Sequence, residues 1–206
     1  MARPPGSSNT ATRILDVAER LVQTRGFNAF SYADIAVALK VTKASLHYHF
    51  PTKADLGQHL IERYEQNFLK ALGQIDRTSL SDAEKLRRYV DIYGGVLRAN
   101  RMCLCGMLAA EFATLPKSSQ SALRHFFDAN EHWLEAVLDH GRATGAFQFD
   151  GASACVAQSV VATLEGALML ARSYGDAARF ETGAARLLAD LQVRRAKASA
   201  EAEHPA

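Results

Sequence analysis

The sequence holds no run approaching the roughly 20 apolar residues that a helix needs to cross a bilayer, so no membrane span is expected from it. Cysteine is scarce. The three at positions 103, 105 and 155 are an odd number without scaffold spacing, which argues against a disulfide framework and fits a reducing cytoplasm. Alternating apolar and polar residues are nearly missing as well. Apolar residues recur at three and four, not at two, so strands are not expected. No HxxxH, CxxC or HExxH motif occurs, and His125, His132 and His140 lie seven and eight apart rather than four, so no metal site is expected. Gly94-Gly95 lacks the preceding strand and the following Gly-Lys-Ser/Thr of a phosphate loop. No serine–histidine–acid order stands out either. Cofactor and enzyme chemistry are therefore not expected. The opening MARPPGSSNT has no apolar stretch and reads as a flexible arm over residues 1–9, not as a secretory signal.

What remains is helical periodicity along the chain. The spacing predicts nine helices: 10–25, two short ones within 31–50, then 52–72, 83–98, 104–113, 117–144, 152–174 and 177–198. Residues 73–82, GQIDRTSLSD, read as a linker between an amino-terminal head and a helical body, and 199–206 as a short charged tail. The expected class is all-α.

The segment 26–56, GFNAFSYADIAVALKVTKASLHYHFPTKADL, carries most of the information. Ser31 stands where an N-cap belongs, and Asp34 lies three residues on, as in a capping box. Ile35, Ala36 and Leu39 then form one apolar stripe, Lys40 and Val41 a turn, and Thr42 a second N-cap. Pro51 must close the helix that Thr42 opens, because it disfavours helical geometry at Phe50. Within that helix Leu46 and Phe50 face inward, leaving Lys43, Ser45, His47 and Tyr48 on an outer face. A buried side backing small polar and cationic donors is what a helix reading a major groove requires. Thr52 opens the next helix. Lys53 in its first turn opposes the helix dipole, and a nearby phosphate would account for it. Charge agrees: residues 1–59 hold seven Lys/Arg against four Asp/Glu, whereas the remainder is close to neutral.

These residues resemble the TetR family of bacterial transcriptional regulators. The matching positions are Gly26-Phe27, Phe30-Ser31, Ile35-Ala36, Val41 to Leu46, Tyr48-His49-Phe50, Lys53 and Leu56. The match is close over residues 1–65 and only architectural beyond them. It implies a helix-turn-helix head over 10–56, a connecting helix, and an effector-binding and dimerisation body over 73–198. It further implies that Thr42, Lys43, Ser45, His47 and Tyr48, with Ala44 and His49 beside them, meet bases or phosphates of double-stranded DNA. Ser31, Tyr32 and Lys53 match positions that hold the DNA backbone. Position 47 is commonly Tyr in the family but His here, so the share of contacts between His47 and Tyr48 stays open. Tyr32 could equally belong to the core.

A dimer is implied as well, since two reading helices about 34 Å apart are needed to read a palindrome. The expected eighth helix carries Ala154, Ala157, Ala162, Gly166, Ala167 and Ala171, small residues that let helices approach closely. With the ninth, it would form the homodimer interface. An effector pocket for a small molecule of unknown identity is expected in the body, with Tyr93, Leu97, Cys103, Met107, Phe112, Phe126, Phe127, Asn130, Trp133, Leu134 and Glu165 as candidate lining. Glu165, set amid VVATLEGALML, could pair with an Arg, hold a cationic or hydroxylated ligand, or face solvent. Cys103 lies near Arg98, Arg101 and a helix start, which would lower its thiol pKa and suit release by thiol-reactive signals. The competing reading makes all three cysteines small buried hydrophobes. A helical DNA-binding protein without a small-molecule response is the alternative to a ligand-responsive repressor.

Overall fold

The computed structural model describes residues 7–78 and 80–191. Among them the chain forms nine α-helices, one 3-10 turn and no strand. The head comprises α1 (Ser7–Arg25), α2 (Tyr32–Leu39) and α3 (Lys43–His49); α4 (Lys53–Asp76) runs from it into the body. The body adds α5 (Asp82–Arg98), α6 (Leu104–Ala110), the 3-10 turn Phe112–Thr114, α7 (Lys117–Ala143), α8 (Ser153–Tyr174) and α9 (Ala178–Leu191).

Local chemistry sets most boundaries. α1 buries Ile14, Ala18 and Val22 and ends at Gly26, whose φ of +96° suits glycine. Ser31 and Asp34 close a capping box on α2, and Thr52 with Asp55 closes another on α4. Lys40 makes the turn in a left-handed conformation, φ 56°. Thr42 caps α3 by accepting the Ser45 N–H at 3.2 Å. Leu46 and Phe50 are buried, and Phe50 ends the helix in an extended conformation ahead of Pro51.

Three expectations change. The segment 73–82 is not a free linker: α4 continues through Asp76, and Ser81 already caps α5. Its helical stripe continues through Leu72 and Ile75, which pack on the body and so favour continuation over a break. The arm expected over 1–9 is helical from Ser7, while residues 1–6 and the tail 199–206 lie outside the described residues, as does the end of the expected ninth helix. Finally, α8 is long and apolar enough to cross a membrane, with a mean hydropathy of 1.6. Its stripe Ala157, Val160, Val161, Leu164, Leu168 and Ala171 is instead buried in the core, against α7 and α9.

Head and body are tied at several points. Arg63 of α4 holds Asp16 at 2.7 Å and Glu19 at 2.5 Å on α1. Glu111, just past α6, accepts the N–H of Phe27 at 2.8 Å and of Asn28 at 3.1 Å. The Asn28 amide donates to Thr114 at 2.8 Å, and Arg172 of α8 donates to the Thr24 carbonyl at 2.6 Å. The Met102 N–H bonds the Gln23 carbonyl at 3.0 Å. The carboxyl end of α1 is thereby clamped by three separate pieces of the body.

Candidate nucleic-acid interface and buried polar cluster

α3 is too short to be stable alone, so its neighbours must hold it. Leu46 anchors it with no exposed surface, Thr42 caps its start, and His47 Nδ1 meets the Pro51 carbonyl at 3.0 Å at its end. Thr42, Lys43, Ala44, His47 and Tyr48 are exposed, and Ser45 and His49 are half-buried. Tyr48 stands out at 65% exposure, braced edge-on by the His49 ring at 5.2 Å. His49 Nδ1 is buried without a partner. Beside this face, Ser31, Ala33, Lys43, His47 and Lys53 line a shallow cleft of about 350 Å³.

Two expected contact residues are placed differently. Tyr32 is buried, and its hydroxyl is shared between the Phe50 carbonyl at 2.8 Å and the Thr52 carbonyl at 2.7 Å. Burial, with Asp55 nearby, pushes its pKa up to about 12. Its ring lies 4.7 Å from that of His47, so Tyr32 is an internal strut that positions α3. Lys53 sits with its ammonium 4.4 Å from the Phe30 ring and 4.8 Å from the Phe27 ring, donating to the Phe30 carbonyl. Desolvation lowers its pKa, against the opposing pull of Glu111 and Asp34. An internal cation–π seat therefore explains the lysine that opposes the dipole; no phosphate is needed for that purpose.

In the body, α4, α5, α6, α7 and α8 enclose a polar cluster. The Tyr89 hydroxyl donates to Asn130 Oδ1 at 2.7 Å, Asn130 Nδ2 donates to the Tyr93 hydroxyl at 3.1 Å, and the two hydroxyls lie 3.2 Å apart. Tyr64 donates to Cys103 Sγ at 3.7 Å. Phe68 and Phe126 fill the space between, with ring centroids 5.2 Å apart. Glu165 comes in from α8. Both its oxygens are buried without a hydrogen-bond partner, and the Cys103 thiol beside them lends only weak support. Burial pushes its carboxyl up to about 7.

The expected pocket residues divide. Tyr93, Cys103, Phe126, Asn130 and Glu165 converge on this cluster, and Trp133 stacks on Tyr89 at 5.6 Å while donating to Asp76. Phe127 packs edge-on against Phe126 at 5.3 Å. Leu134 is simply core, and Leu97 is half-buried at the end of α5. Met107 turns toward Gly26 in the head, and Phe112 lies under the Arg124 guanidinium. Tyr64, Phe68 and Tyr89 were missed, although their helical spacing with expected core positions was the available signal. The cysteines also depart from expectation. Burial and the nearby Glu165 carboxylate push the Cys103 thiol up, not down; Arg101 turns to Gln23, and the Arg98 guanidinium lies beside Gly94. Cys105 is buried, whereas Cys155 is exposed and so is no core hydrophobe. The three histidines of α7 are kept apart, His125 meeting Glu65 at 2.7 Å and His140 meeting Asp82 at 2.9 Å.

Known proteins resemble this arrangement. Residues 14–60 match the model described as bacterial regulatory proteins, tetR family, and residues 83–187 match the one described as tetracyclin repressor-like, C-terminal domain. The transcriptional regulator AcuR of Cereibacter sphaeroides is 28% identical over 153 residues, covering 72% of this chain and 69% of its own. A TetR-family transcriptional regulator from Agrobacterium tumefaciens superposes with a TM-score of 0.87 at 33% identity, over 91% of this chain and 100% of that one. A TetR transcriptional regulator from Legionella pneumophila gives 0.82 at 38% identity, over 89% and 98%.

Proposed function

The chain belongs to the TetR family of bacterial transcriptional regulators, and from that premise we propose that it binds a palindromic operator as a homodimer, acts as a repressor, and is released by a small-molecule effector. It is a DNA-binding regulator and not an enzyme. The observation that carries the operator reading is the outer face of α3. Thr42, Lys43, His47 and Tyr48 project from a helix whose other side is locked by Leu46 and Phe50. Such a face reads base edges and phosphates without reordering. The cleft where Ser31, Ala33 and Lys43 meet at the start of α2 suits a backbone phosphate.

The small residues of α8 and α9 support the dimer. Ala162, Gly166, Ala167, Leu170, Ala178 and Gly183 line an open groove of about 700 Å³, and Met169, Leu170 and Tyr174 remain exposed around it. A second copy laid along this face would bury them. For release, an effector is favoured over a standing thiolate at Cys103, because that thiol is buried and held protonated. Binding in the body would act on the head through Glu111 and Arg172, and a coupling of about 1–3 kcal/mol suffices for a useful switch.

Selection from random duplexes, followed by titration at several salt concentrations, tests the reading. A palindromic consensus is expected. Lys43→Ala should weaken binding to all duplexes and reduce the salt slope by about 0.9 for one lost phosphate contact. Absence of any sequence preference over a heparin competitor overturns the operator assignment.

A further inference from the structure

We propose that Glu165 and the aromatic cluster around it seat an organic cation, a protonated or quaternary amine on a small aromatic or branched apolar body. The inference rests on reading the chain as an effector-responsive regulator and names the chemistry of that effector.

The carboxylate is the anomaly from which the argument starts. Both oxygens are buried, and the only group supporting them among the described residues is the weak donor thiol of Cys103. The titratable groups that feel its charge are Tyr64 from α4, Tyr89 and Tyr93 from α5, and Cys103 and Cys105 around the start of α6. None of them is a cation. Asn130, the polar group that α7 contributes, is already bonded to Tyr89 and Tyr93. Leaving an ionised carboxylate in such a place costs several kcal/mol unless a counter-charge arrives. Arg101 donates to Gln23 and Arg172, on the same helix as Glu165, to the Thr24 carbonyl. Without a ligand the carboxyl relieves this cost by holding its proton, as its pKa of about 7 favours; a counter-charge for the ionised form must come from outside the chain.

The surroundings specify what kind of cation. Tyr64, Phe68, Tyr89, Tyr93 and Phe126 pack with ring centroids 5.2–6.5 Å apart. Aromatic faces attract a desolvated ammonium and tolerate its apolar substituents. A hydrated metal ion would find one carboxylate and no further hard oxygen ligands of like charge. An anion would meet Glu165 itself. An apolar ammonium satisfies both the carboxylate and the rings.

Access and output follow from two neighbours. Tyr64 and Phe68 also line a cleft of about 330 Å³ between α1, α4 and α5, with Gln23, Gly95 and Arg101 at its rim. That volume falls within the range of small-ligand sites. Tyr64 lines this cleft, and its hydroxyl reaches Cys103, the neighbour of the carboxylate. On the other side, Glu165 occupies the place a side chain at Gly106 would take: a Cβ there would lie 2.2 Å from Oε2. A carboxylate drawn toward a ligand thus changes its fit against α6, and Glu111, just past α6, holds the head.

Isothermal titration with phenethylammonium and benzyltrimethylammonium, against neutral 2-phenylethanol and anionic 3-phenylpropanoate, tests the assignment on the full chain. Both cations should bind at least about tenfold more tightly than the alcohol, and the acid should bind least. Glu165→Gln should abolish the preference while the melting temperature holds or rises, since a buried charge has been removed; Cys103→Ser should keep it. Equal affinity for cation and alcohol, including no binding of either, overturns the inference. So does a preference that survives Glu165→Gln. Duplex selection on the same preparation separates the two readings: retained operator preference without cation preference sinks only this inference, whereas loss of duplex preference sinks the regulator reading beneath it.

Discussion

Lys53 and Glu165 are titratable side chains whose surroundings reverse what their positions suggest. Lys53 stands in the first turn of α4, yet the Phe27 and Phe30 rings and the Phe30 carbonyl stabilise its ammonium from within the head. Lys53→Ala should therefore destabilise the protein by about 1–2 kcal/mol, read as a lower denaturation midpoint. An unchanged midpoint with a shallower salt slope for DNA would return Lys53 to the phosphate contacts instead. Glu165 makes the opposite kind of prediction. Its folded pKa of about 7 lies above the ordinary 4.5, so the folded state binds the proton more tightly. Its contribution to stability is then complete below pH 4.5 and lost as pH rises toward 7. The loss is on the order of 3 kcal/mol at most, at about 1.36 per pKa unit. The tyrosines and thiols facing it are raised and stay neutral across that window. Urea titrations of wild type and Glu165→Gln from pH 4.5 to 8 should diverge with rising pH in favour of the variant; parallel profiles would mean the carboxylate is solvated.

At the scale of elements, α6 is the joint between the two halves. Cys103 caps it and its Gly106 backbone is covered by Glu165; just past its last turn, Glu111 accepts two amides of the loop between α1 and α2. Glu111→Ala should leave those amides without their acceptor and cost about 1–2 kcal/mol. Hydrogen exchange at Phe27 and Asn28 should accelerate selectively; unchanged protection there would remove Glu111 from the coupling route. α7 offers a cleaner packing test. A glycine replaced by alanine inside a helix ordinarily gains about 1 kcal/mol. At Gly141, however, a Cβ would meet the Phe147 ring at 2.2 Å. Gly141→Ala should therefore destabilise by about 1–3 kcal/mol, and a gain in melting temperature would show that Phe147 is free to move.

For the whole molecule, the question is what covers the outer face of α8. A Cβ at Gly166 would meet no heavy atom within 4 Å beyond its own helix backbone, while one at Gly183 would lie 3.5 Å from the Ala167 Cβ. Gly166→Leu should thus be harmless to a single chain but should block the approach of a second. Light scattering after size exclusion should report a monomer with a normal melting temperature, and operator affinity should fall with the loss of two-headed binding. A Gly166→Leu protein that remains dimeric would move the interface elsewhere.

The head was legible residue by residue because its determinants are local. Caps at Ser31, Thr42 and Thr52, the stop at Phe50-Pro51 and the inward pair Leu46 and Phe50 act over four residues or fewer, and the structure keeps them all. The number and order of helices follow from the same short-range periodicity. The partners of polar groups were not legible. Whether Tyr32 points out or in, where the Lys53 ammonium rests, and that Glu165 and Cys103 share one buried site depend on residues up to a hundred positions apart. The same holds for Glu111, whose bonds to Phe27 and Asn28 span more than eighty positions. Hydrophobic spacing records which face of a helix is buried, but not which other helix buries it. Only the packing of α4 through α8 could turn a lone glutamate in an apolar run into a desolvated carboxyl sharing a buried site with Cys103 and three tyrosines.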